Sequence, residues 1–117
     1  MSQENIGVKA FVAGEALEAY RRVKLMAGSG TQVDYADAGV AFIGITAAAA
    51  ALGEMVSVVL KTSGRTFKLC AGGAIAVGGD FYGALDGKIS ATVSGSIQGK
   101  VLEAPASDGE IVETILA

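Results

Sequence analysis

The chain has 117 residues, a net charge of −3, 51% hydrophobic and 18% charged residues. That balance fits one domain over residues 1–117 with a real core, and it excludes a disordered chain. The basic residues are scattered, with Arg21, Arg22 and Lys24 the nearest thing to a cluster, so the stripe needed for nucleic acid is missing.

The apolar residues are mostly Ala, Val, Ile and Leu, with no Trp and 6% aromatics. Such a core is thin, and a partner subunit would help its stability. Glycine is abundant at 17 and Pro105 is the sole proline, a composition that suits short strands and tight turns. The start lacks the basic and apolar regions of a signal peptide. The longest uncharged run, 38–53, is too short and too rich in Ala and Gly to span a bilayer. A protein made and assembled in a cytoplasm, with no membrane partner, is expected.

Polar residues 2–5 lead into Ile6, Val8, Phe11 and Val12, which read either as an arm for docking on a neighbour or as an ordinary first strand. Residues 15–27 taken alone read as a helix, with Glu18 and Arg22 spaced as an i,i+4 pair. The glycine-rich stretches around Gly28 and around Gly78 and Gly79 lack the phosphate-loop pattern and read as turns. The alanines at 47–51 read as a turn or a single helical turn.

Residues 56–58, 66–70, 88–93 and 111–116 read as strands from their β-branched content or alternation. Ser63-Gly64, Asp86-Gly87 and Asp108-Gly109 punctuate them as turns.

An internal duplication organises these pieces. Gly53-Glu54-Met55-Val56 aligns with Gly109-Glu110-Ile111-Val112, Gly44 with Gly99, and Ala13-Gly14 with Ala71-Gly72. The repeats span about 8–60 and 66–116. The mate of the helix-like stretch carries Gly78, Gly79 and Gly83, which make a helix costly there, so neither copy is expected to be a long helix. The fold class is all-β with at most short helical turns: a small β-sandwich or barrel built from two internally repeated halves.

Chemistry is scarce. With no histidine, Ser–His and Cys–His pairs and histidine-ligated metal sites are excluded, and lone Cys70 reads as a small buried hydrophobe. Asp34 with Asp37, and Asp108 with Glu110, are close in sequence, but they sit among turn residues where Asp serves the local backbone. No catalytic, metal or cofactor residue and no small-molecule substrate is assigned.

The runs 53–58, 73–75, 78–82 and 86–90, continued through 97–104 and 108–113, resemble the small capsid cement (head decoration) proteins of tailed double-stranded DNA phages. The likeness covers the chain from about Phe11, through turn glycines and strand residues rather than a chemical signature. It implies a β-structured, non-enzymatic virion protein made in the host bacterial cytoplasm and placed on the outside of the expanded head, binding the major capsid protein and commonly trimeric. The expected capsid or subunit contacts are Ile6, Val8 and Phe11. The alternatives are another virion part, such as a head-fibre base or a sugar-binding adhesion module, and a small β-barrel enzyme using acid pairs.

Overall fold

In the computed structural model, which describes residues 7–116, ten strands and two 3-10 turns account for the regular structure. The first half holds β1 (Val8–Ala13), β2 (Arg22–Leu25), β3 (Gln32–Tyr35), β4 (Gly44–Thr46) and β5 (Met55–Leu60). They close into a barrel in the order β1-β3-β2-β4-β5. Alternation sets the inside: Phe11 and Ala13 on β1, Val56 and Val58 on β5, with Val23, Val33 and Leu17, form one apolar cluster.

The second half holds β6 (Phe67–Cys70), β7 (Asp80–Gly83), β8 (Ile89–Ser90), β9 (Gly99–Val101) and β10 (Ile111–Leu116), ordered β6-β10-β9-β7-β8. A single parallel bridge, Ala71 to Ile89, links its ends. The all-β expectation, with two repeated halves, holds.

The repetition extends to strand register. Phe11 pairs with Val56 as Leu69 pairs with Val112, and Gly44 pairs with Leu60 as Gly99 pairs with Leu116. Val23 lies opposite Gly44 as Phe81 lies opposite Gly99. Loops follow suit. Leu17 N–H donates to the Ala50 carbonyl at 2.8 Å, and Ile75 N–H to that of Pro105 at 3.2 Å. Glu54 Oε1 accepts the Ala51 N–H at 2.7 Å, and the Glu110 carboxylate accepts that of Ala106.

The helix-like stretch 15–27 is not helical. Tyr20 adopts a left-handed φ of 62°, where its mate Gly78 has 74°, and the chain then enters β2. Glu18 pairs with Arg21, not Arg22. The alanines at 47–51 form no helical turn, because Ala50 is held by its bridge to Leu17. The strand expected over 88–93 stops at Ser90, whose Oγ accepts the Thr92 N–H at 3.0 Å and bends the chain away.

Gly44 and Gly99 sit where strands approach too closely for a side chain. A Cβ at Gly99 would lie 2.2 Å from the Ile115 carbonyl oxygen and 2.7 Å from the Phe81 ring. One at Gly44 would lie 2.5 Å from the Val59 oxygen.

The halves are joined by a shared core and one buried cation. Ala36, Phe42 and Ile45 of the first half belong to the same cluster as Phe67, Leu69, Phe81, Ile89 and Val101 of the second. Arg22 points from β2 into this seam and is 0% exposed. Its Nε donates to the Lys88 carbonyl at 3.1 Å, and its Nη2 to those of Ala36 at 2.7 Å and Ala84 at 2.8 Å. Gly83 leaves room for it, since a Cβ there would meet Nη1 at 2.8 Å. Burial lowers the guanidinium pKa to about 10, with Asp37 opposing the shift, so the group stays charged at neutral pH.

Two predictions follow from these contacts. Arg22→Leu and Arg22→Lys should each cost about 2–4 kcal/mol, because the backbone carbonyls stay buried and neither replacement can reach them all. Urea denaturation measures both, and an Arg22→Lys variant as stable as wild type contradicts the role of the fork. Gly44→Ala and Gly99→Ala should each cost about 1–3 kcal/mol by overpacking, read as a fall in the urea midpoint.

Candidate functional site

The acids picked out from sequence are committed to structure. Asp34 holds Lys24 at 2.9 Å on the neighbouring strand, while Asp37 Oδ1 accepts the Asp86 N–H at 3.2 Å. Asp108 holds Lys88 at 2.8 Å, and Glu110 caps its own loop. The Lys88 hydrogen bond holds the Asp108 carboxyl below its usual range and raises the Lys88 ammonium in turn. Neither acid pair picked out from sequence faces a shared cleft. Among the described residues no group of three or more His, Cys, Asp or Glu could hold a metal ion. Cys70 is 3% exposed and packs as an apolar residue.

Two of the three expected contact residues are among the described ones. Ile6 lies outside the described residues. Val8 is half-buried and pairs with Val59 at the start of β1. Phe11 points into the first barrel among Leu17, Val23 and Val58, so its side chain serves the core. The structure does not bring Val8 and Phe11 together on one outer surface.

The exposed apolar surface lies elsewhere. Ile111 and Ile115 occupy outward positions of β10, opposite in phase to buried Val112 and Thr114. Ile97 stands beside Ile115 and Leu116 in a shallow depression of about 150 Å³, with Lys100 and Asp80 completing it. Lys100 Nζ and Asp80 Oδ1 are 2.6 Å apart across it. The sequence did carry a signal for this surface: isoleucines at the solvent phase of an alternating strand.

Two larger hollows flank the seam. One, of about 330 Å³, lies between Phe42 and Lys61 of the first half and Ile97, Gln98 and Leu116 of the second. The other, of about 490 Å³, has exposed Leu85 and Val93 on its walls and Asp86, Lys88 and Asp108 around it. Neither gathers a nucleophile, a base and an oxyanion donor.

Phe11→Ala should cost about 3–5 kcal/mol by leaving a cavity in the first barrel, while Val8→Ala should cost less than about 1.5 kcal/mol. Thermal and urea unfolding of the two variants separate these roles.

No protein-family model matches the chain, and no curated protein does. A crystal structure described as the head fiber gp8.5 N base in bacteriophage phi29 is similar in fold, with a TM-score of 0.80. The match covers 94% of this chain and 92% of that one, at 19% sequence identity.

Proposed function

We propose that this chain is a non-enzymatic structural component of a phage head, acting as a base domain that seats on the outer surface of the capsid. The observation that carries the reading is the fold match over nearly the full length of both chains to a head-fibre base. Two further features support it: the acids are spent on internal partners, and the exposed groups include isolated apolar side chains suited to contact. The match favours a head-fibre base over the lattice-wide cement protein that the sequence suggested first. Its partner would be the major capsid protein, and a homotrimer would multiply weak individual contacts.

Copy number separates the two roles. Quantitative mass spectrometry of purified particles should find this chain far below the major capsid protein if it is a fibre base. A ratio near one, or a simple fraction of it, would return the function to a cement protein. Absence from particles would overturn both. The contact assigned to Ile6 has its own test in deletion of residues 1–6, which spares every described strand. Loss of head binding with unchanged unfolding supports that contact, and unchanged binding removes it.

A further inference from the structure

Tyr20 is a bulky residue held at a left-handed φ of 62°, a conformation that glycine adopts freely and a ring-bearing residue adopts only under strain. The repeat has Gly78 at the same place, two residues ahead of Asp80 as Tyr20 is two ahead of Arg22. Both N–H groups donate at 2.9 Å, Tyr20 to the Thr46 carbonyl and Gly78 to that of Val101. The Tyr20 carbonyl also accepts the Cys70 N–H at 2.9 Å across the seam. None of these backbone duties needs a side chain, and glycine would perform them with less strain. The ring itself therefore has a use, and its surroundings indicate which one.

Tyr20 is 36% exposed and stands on the wall of a hollow of about 180 Å³ between the halves. Ile45 and Val59 line the hollow from the first barrel, with Arg65, Thr66 and Lys68 on its other side. Among the described residues no acid lines it. Lys68 is exposed, at the outward position of β6 between buried Phe67 and Leu69. Glu113 lies opposite Lys68 in register, but its Oε2 accepts the Thr66 hydroxyl at 2.8 Å, and the two form no ion pair. An exposed tyrosine, an apolar floor and a cationic rim make up the kind of patch that dominates protein contacts.

We propose that this hollow is where the chain grips an acidic peptide segment on the head surface. The proposal rests on the seat on the capsid inferred above and adds the chemistry of the contact. The hollow has room for one apolar side chain beside the Tyr20 ring, and a flanking Asp or Glu of the same segment meets Lys68. Partial cover by the ring strengthens that charge pair over one in open water. The strained backbone at Tyr20 is then kept because only a large ring at that place completes the wall.

Cosedimentation of the full chain with purified heads stripped of it tests this, with circular dichroism and thermal midpoint recorded for each variant. Tyr20→Gly and Lys68→Glu should each weaken binding about tenfold or more while remaining folded. Lys100→Glu makes the same charge change on another face and should bind as wild type. Heads that hold Tyr20→Gly and Lys68→Glu as tightly as wild type overturn the proposal, as does equal weakening by Lys100→Glu. A Tyr20→Gly variant with a lowered midpoint and intact binding makes the ring a brace of the seam and overturns it too. Wild type that fails to bind heads at all overturns the seat on the capsid itself.

Discussion

The buried guanidinium of Arg22 is the constraint around which the two halves are arranged. A charged group taken wholly out of water is tolerated only when its donors are satisfied and its position is fixed. Here the acceptors are backbone carbonyls from both halves, at Ala36 on one side and Ala84 and Lys88 on the other. Carbonyls cannot change rotamer to follow the charge, so the β7–β8 hairpin must sit where it does. The bare backbone at Gly83 and the Phe42 ring 5.6 Å from the guanidinium carbon complete the cage. The apolar part of the seam then packs around a fixed point rather than sliding.

Duplication supplied two equal frames, and divergence at a few positions made them unequal. The first barrel closes through parallel rungs at Val12 and Ala13, whereas the second has one bridge at Ala71. The second core is completed instead by side chains from the first half, Phe42 and Ile45 among them. One strand phase therefore carries opposite chemistry in the two copies. Arg22 and Ile45 are buried, and Asp80 and Lys100 form an ion pair beside solvent. A surface ion pair of this kind contributes little stability.

The acids singled out in the sequence serve the same framework. Asp34, Asp37, Asp108 and Glu110 each hold a lysine or a backbone N–H in a loop or between strands. Carboxylates engaged in this way fix turns and are poor candidates for proton transfer. Apolar groups on the outside, Ile97 and Ile115 among them, have no such internal duty.

The sequence by itself determined the β class, the two-fold repetition and most of the turns. These depend on local properties: glycine at tight approaches, alternation along strands, and matching anchors such as Gly53-Glu54 and Gly109-Glu110. The repeat even overruled a plausible helix at 15–27, because the glycines of the mate exclude one. Tertiary structure alone decided which outward-phase residues become interior. Nothing local distinguishes Arg22 from Asp80, or Phe42 from Ile97, as the buried member of its pair. Nor does Phe11 announce that its side chain fills a barrel. Burial on an outer face is set by what packs against it, and that was fixed only when one half folded over the other.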